Sequence, residues 1–281
     1  MIAGSACLAF GPWLVRLADV GPLASAFWRQ ALAVPFLFAL AFVGSGGGRA
    51  AFSGTNARLI GLAVLAGAAF AADLSVWHLG ILRTTLANAT LLANGATFLL
   101  PLYGLIVLRQ RLTRPQWWAL ASAAVGVALL LGRSAEVSAR HFAGDLLCLL
   151  AAVFYTIYLV AIEKVRGTLA AMPALALATL ASAVALAPLA ASGVFWPTDW
   201  TPILALAIGS QVVGQGLIVY AVRHLSPLIV GLCLLVQPSI SALIGALRFG
   251  EVPGPMELVG AALVVAALVI ARLPERRQNF G

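Results

Sequence analysis

The side chains that could do chemistry in this sequence are few, and they stand inside apolar runs. Polar groups in such surroundings are expensive and read first as functional. Asp73, Trp77 and His78 share one run. On a helix Asp73 and Trp77 are one turn apart on the same face, and His78 lies about 100° around. Asp73 suits a substrate ammonium or a proton, and equally a structural pairing with Arg29 or His78. His78 titrates near neutral pH, which suits proton coupling or a substrate hydrogen bond; its other use is packing against a neighbouring helix. Asn88, Asn94 and Tyr103 occupy the next run, with Asn94 central. An amide offers donors and an acceptor together, which fits a zwitterion, while helix packing is the competing use. Gln211 and Gln215 are one turn apart with Gly214 between them, which suits a cavity wall. Tyr155, Tyr158, Trp77 and Trp13 would supply an aromatic lining for a hydrophobic side chain, or simply pack. Gln237-Pro238 frees a backbone carbonyl within a run, which suits a hinge or gate, or is a tolerated membrane proline. Arg16 and Arg29 stand near the ends of the first two runs. They either meet a carboxylate in a vestibule or snorkel to lipid headgroups, the simpler account.

Other chemistries lack their residues. There is no G-x-x-x-x-G-K-[ST] phosphate loop, no His/Cys set with metal-ligand spacing, and no nucleophile–base–acid set. No catalytic residue, metal or cofactor is expected. Asp73 and His78 are the one acid–base pair available to an intramembrane enzyme, and they point apart. A receptor would ordinarily carry a soluble domain or long tail. Cys7, Cys148 and Cys233 each lie in apolar surroundings and read as packing residues rather than disulfide partners.

The elements that must position these groups follow from composition. Of 281 residues, 62% are hydrophobic and 9% charged, and the mean hydropathy is +1.04. Soluble domains are nearer half apolar and a quarter charged. The composition excludes a soluble enzyme, a nucleic-acid-binding domain and a disordered tail. The net charge of +8 therefore belongs to loops facing anionic lipid, not to DNA. A spanning helix needs roughly 20 mainly apolar residues. Ten candidates result, at about 1–17, 23–43, 58–82, 86–108, 116–132, 143–162, 173–193, 201–222, 227–248 and 256–272. The first carries no basic leader and reads as a retained span. Pro22, Pro115, Pro173, Pro202 and Pro227 mark helix starts, and 44–48 is a glycine-rich loop. With a cytoplasmic N-terminus, eleven basic residues fall inside and five outside, which favours both termini inside. Trp117, Trp118, Trp196 and Trp200 sit at span ends as an interfacial belt.

The two halves resemble each other. A shift of 141 residues places Leu79 on Tyr220, Arg83 on His224, Thr85 on Ser226, Gln110 on Glu251 and Trp118 on Val259. Each half then has five spans, an odd number, so the second enters from the opposite side. The expected architecture is an all-α integral membrane protein of ten transmembrane helices in two inverted five-helix repeats, 1–132 and 143–272, with a short cytoplasmic tail at 273–281. Inverted repeats are a recurring plan of secondary transporters, with the substrate site near the midplane.

Several residues carry a family likeness. They are Trp13-Leu14-Val15-Arg16, Phe27-Trp28-Arg29, the 82–86 link, Leu234-Leu235-Val236-Gln237-Pro238 and Phe249-Gly250-Glu251. Together they make the sequence similar to the drug/metabolite transporter superfamily, EamA-type, and within it to exporters of aromatic and other neutral amino acids. Gln110 departs from the glutamate usual there, and Thr97 stands opposite Pro238 of the second repeat. The resemblance implies a central cavity lined mainly by helices one, three, four, six, eight and nine. It implies export of small neutral or amphipathic metabolites, amino acids among them, across a bacterial inner membrane by alternating access. The expected partners are a small-molecule substrate and the bilayer, with no nucleic acid, and a monomer is compatible with the sequence. The first span has no central acid, unlike the small multidrug exporters. The alternatives are a drug or weak-base exporter using Asp73 and, from another class, an intramembrane enzyme or receptor.

Overall fold

The computed structural model describes residues 1–44, 48–96, 98–99, 103, 106–107, 109, 114–191, 193–222 and 236–270. Most of the glycine-rich loop, Thr97, Gln110, the 223–226 link, Pro227, Cys233, Leu234-Leu235 and the 273–281 tail lie outside these residues. Every regular element among the described residues is a helix. In chain order they are α1 (Ile2–Ala9), α2 (Gly11–Leu17), α3 (Pro22–Gly44), α4 (Gly48–Ala51), α5 (Ala57–Ile81), α6 (Leu86–Ala93), α7 (Arg114–Val137), α8 (Ala139–Arg166) and α9 (Ala171–Ala190). Then come α10 (Thr201–Ala205), a π-helical stretch (Leu206–Gln215), α11 (Gly216–Val222), α12 (Val236–Phe249) and α13 (Pro255–Ile270). Six helices are long and apolar enough to cross a membrane: Pro22–Gly44, Ala57–Ile81, Trp117–Val137, Ala139–Arg166, Ala171–Ala190 and Thr201–Ala221. Ile2–Leu17 and Pro255–Ala267 are shorter apolar helices.

Local chemistry sets the ends. Asn56, Thr85 and Ser138 cap α5, α6 and α8, each accepting a backbone N–H from three residues on. The Ser138 cap starts α8 four residues before the expected 143, which carries Asp145 well inside the helix. Pro22 and Pro255 open α3 and α13, and Pro12 and Pro202 lie in the first turns of α2 and α10. The fourth run was expected to be continuous over 86–108. It is interrupted instead: α6 ends at Ala93, Asn94 and Gly95 form a turn in which the Gly95 N–H donates to the Leu92 carbonyl at 2.9 Å, and described residues beyond it, from Ala96, are again helical.

α5 packs chiefly on α8 and α9, α3 on α9, and α7 on α13. The α7–α13 crossing has little room to spare: a Cβ on Gly126 would sit 2.7 Å from the Gly260 carbonyl, and one on Gly260 would sit 3.0 Å from the Gly126 carbonyl. Close backbone approach of this kind drives helix association in lipid, where hydrophobicity cannot. Beside it the Ser122 hydroxyl donates to the Leu263 carbonyl at 3.1 Å.

One end of the bundle is tied by Arg16. Its guanidinium meets Glu251 Oε1 at 2.5 Å and also donates to the carbonyls of Ile81 and Thr84, while Glu251 Oε2 accepts the Leu86 N–H at 2.8 Å. Its charge also sits 4.7 Å from the Phe249 ring centroid. Arg16 is thus neither a snorkelling residue nor a free vestibule cation. It joins α2, the α5–α6 link and the α12–α13 turn. That turn depends on Gly250 at φ +64°, a left-handed conformation that favours glycine. At the same end Gly21 and Trp28 donate to the carbonyls of Val194 and Phe195, each at 2.8 Å. Asp19 there accepts from Thr198, whose hydroxyl holds the carboxyl below its usual range. Trp28 packs against Phe195, Trp196 and Trp200. Trp117, Trp118 and Trp196 are exposed.

Two outcomes follow. Gly126→Val wedges α7 from α13 and destabilises the protein by about 1–3 kcal/mol. Gly132→Ala on the same helix, where nothing lies within 4 Å, leaves stability unchanged. Thermal denaturation in detergent compares the two. Arg16→Met and Glu251→Gln each lose about 1.5–3 kcal/mol, and the double variant is no worse than the worse single one, because both break one network. Additive losses in the same assay would show that the pair is not coupled.

Candidate functional site

A cavity lies where seven parts of the chain converge. Leu8 comes from α1, Arg29 from α3, and Phe70, Asp73, Leu74 and Trp77 from α5. Thr90, Ala93 and Asn94 come from α6 and its terminal turn, Tyr155 from α8, Gln215 from the π-helical stretch and Gln237 from α12. Its volume is about 50 Å³, room for a few waters and no more. A second space of about 430 Å³ opens nearer the Glu251 end, with Asn88, Arg133, His141, Pro238 and Glu257 among its lining.

The aromatic wall is held in place by hydrogen bonds and stacking. The Trp77 indole N–H donates to the Ala89 carbonyl at 3.1 Å, pinning the ring to α6. Phe70 stacks on Tyr158 at 4.6 Å between centroids, and Tyr158 on Tyr155 at 5.6 Å. Gln215 Nε2 donates to both tyrosine hydroxyls, at 3.4 Å to Tyr155 and 3.3 Å to Tyr158. Tyr155 faces the cavity, and Tyr158, fully buried, braces it from behind. Asn94 reaches back to the Thr90 carbonyl at 2.9 Å.

The charges are arranged differently from the residues' order in sequence. Arg29 is only 2% exposed, so it does not snorkel; it points into the bundle. Its Nε donates to Gln211 Oε1 at 3.3 Å, and Gln211 Nε2 donates in turn to the Thr179 hydroxyl at 3.1 Å. Its Nη1 is buried without a hydrogen-bond partner. Asp73 lines the same cavity, and no hydrogen bond or ion pair reaches its carboxylate among the described residues. Arg29 and Asp73 sense each other through space but form no direct ion pair. Gln211 therefore holds the arginine rather than facing the cavity itself. Gln211 and Gln215 both lie on a π-helical stretch, a winding that recurs at functional sites.

Besides Tyr158 and Gln211, one more expected lining residue, His78, sits off the cavity. His78 is fully buried and turned toward α3, with its Nδ1 2.8 Å from the Ser25 hydroxyl; it does not line the cavity. Pro238 lies in α12 and borders the larger space, while Gln237 borders the cavity. Asp73 pairs directly with neither Arg29 nor His78.

Sequence reading missed three residues. Asp145 is fully buried and accepts from the Thr84 hydroxyl and, at 3.2 Å, from Asn88 Nδ2, which binds α8 to α6 and its preceding link. The Ser138 cap signal, three residues before His141, places it inside the helix. Phe70 looks like any core aromatic. Arg29, for which snorkelling is the simpler expectation beside a carboxylate contact or a pairing with Asp73, is turned inward, and no signal but its span position separates edge from interior. Cys7 and Cys148 are free thiols. No group of His, Cys, Asp and Glu among the described residues could hold a metal.

Comparisons with known proteins bear on the second half of the chain and on the fold. No curated protein matches the chain. Sixteen solved chains match it. One, described simply as a protein, is similar at a TM-score of 0.68 over 96% of this chain and 94% of its own, with 19% identity, a likeness of fold. Residues 142–273, just under half of the chain, match the EamA-like transporter family.

Proposed function

We propose that this chain is a secondary transporter of the drug/metabolite transporter superfamily, EamA-type. It exports small neutral or amphipathic metabolites, amino acids including aromatic ones, across a bacterial inner membrane by alternating access. The observation that carries the reading is the central cavity, which combines an aromatic wall with amide and charged groups and is walled by helices from both halves of the chain. Trp77, Tyr155 and the Tyr158 behind it would take an apolar side chain. Asn94, Gln215 and Gln237 would take polar groups, and Gln211 would act through Arg29. Asp73 is the proton or ammonium site. His78 would affect coupling only through the α3–α5 contact that it makes with Ser25.

In this reading the chain has ten spans in two inverted repeats, 1–132 and 143–272, with the 273–281 tail and both termini cytoplasmic; among the described residues six helices are long and apolar enough to span. Two observations support the repeat. Ser122 bonds Leu263, the residue 141 positions on, and this is the shift that aligns the halves; equivalent residues meet at a two-fold axis. The EamA-like match spans the second half. Gln237-Pro238, set between the cavity and the larger space, is the hinge. The second reading, efflux of drugs or weak bases, is favoured only by the Asp73 carboxylate, which no hydrogen bond or ion pair reaches among the described residues.

Purified protein in liposomes preloaded with labelled phenylalanine, tryptophan, threonine or methionine tests the function. Efflux exceeds that from empty liposomes, and Trp77→Ala and Gln215→Leu each slow it about tenfold, the scale of one lost buried contact. A pH gradient changes the rate for wild type but not for Asp73→Asn. Efflux of amines without amino acids would establish the second reading instead, and no efflux of any compound would remove both.

A further inference from the structure

We propose that Arg29 and Asp73 form a two-point clamp for the α-amino and α-carboxylate groups of a zwitterion, with the Arg29 guanidinium taking the carboxylate and Asp73 the ammonium. The proposal rests on the transport reading of the same cavity and names its substrate class. Three observations carry it. Arg29 is 2% exposed, and its Nη1 has no partner. Asp73 borders the same cavity with its carboxylate unpartnered. The two opposite charges nonetheless do not close into an ion pair.

A lone buried charge is costly, and a nearby opposite charge is the usual remedy. Here the fold resists that collapse. Gln211, itself anchored on Thr179, draws the arginine toward the π-helical stretch. Asp73 stays on α5, on the same face as Trp77. A ligand that carries both charges on one carbon satisfies both groups at once, and a ligand with one charge leaves the other group exposed to the cavity. Guanidinium suits a carboxylate because its planar donors match the two oxygens. An apolar side chain on the same carbon would then lie against Trp77, Phe70 and Tyr155. The present volume of about 50 Å³ is too small for a whole amino acid, so the clamp engages as the cavity widens.

Binding to the purified protein in nanodiscs, followed by tryptophan fluorescence and calorimetry, tests the clamp with L-phenylalanine, phenylethylamine and phenylpropionate, and with the same set built on leucine. On the wild-type chain the zwitterion binds about tenfold to a hundredfold more tightly than either single-charge analogue, as expected for one charge-assisted contact. Arg29→Gln lowers phenylalanine to the affinity of phenylethylamine and leaves the amine unchanged; Arg29→Lys restores part of the loss. Asp73→Asn lowers it to the affinity of phenylpropionate. Should either variant fail to fold, the wild-type ligand series decides alone. Equal binding of an analogue and its zwitterion, or no zwitterion binding, overturns the clamp. If amino acids still cross liposomes in that case, the transport function stands without it; absence of both binding and flux removes both.

Discussion

A guanidinium inside an apolar helix bundle must be held by something, because neither lipid nor packed side chains can solvate it. Arg29 is that group here. Its surroundings are organised around holding it without neutralising it by direct contact. Gln211 accepts one of its N–H groups, Thr179 orients Gln211, and Asp73 stands across the cavity as the opposing charge. This arrangement needs three helices to keep fixed relative positions: α3 for the arginine, α5 for the acid and the π-helical stretch for the amide.

The rest of the bundle keeps those helices in place. Helix pairing in lipid gains little from hydrophobicity, so it depends on close backbone approach and on polar ties. The Gly126–Gly260 crossing is one such approach. The Thr84–Asp145–Asn88 cluster binds α8 to α6 and the link before it. Arg16 and Glu251 tie three segments at one end. The same economy explains the cavity wall, where each polar atom of Trp77, Tyr155 and Tyr158 that faces the bundle has a partner. Aromatic faces are thereby left toward the cavity while the polar edges are satisfied elsewhere. Because the Arg16 network joins segments from both halves of the chain, a motion that opens that end has to break it.

The helical membrane character is legible in the sequence, and the starts of α3, α5, α6, α9, α10 and α13 fall within a few residues of their expected places, since hydropathy and proline positions set both. Part of the cavity is legible too: Asp73, Trp77, Asn94, Tyr155, Gln215 and Gln237 stand out as polar or aromatic residues in apolar runs. What was hidden is directional. Hydropathy reports that a residue lies in a span, but not which way it faces. His78, beside Trp77, therefore read as a cavity residue although it turns to Ser25. Arg29, near a span end, read as a lipid-facing residue although it points inward. Depth was lost for Asp145, because the helix start was placed four residues late. Phe70 gave no signal, since an aromatic residue in an apolar helix is the ordinary case. The π-helical winding around Gln211 and Gln215 has no sequence mark that a proline or a cap would give.

The most direct measurement is an experimental structure of the protein with L-phenylalanine bound. The amino acid is expected in the cavity, with its carboxylate within hydrogen-bond reach of Arg29, roughly 3 Å, its ammonium on Asp73 and its ring against Trp77 and Tyr155. An amino acid bound elsewhere, with Arg29 and Asp73 closed directly onto each other, would contradict that expectation.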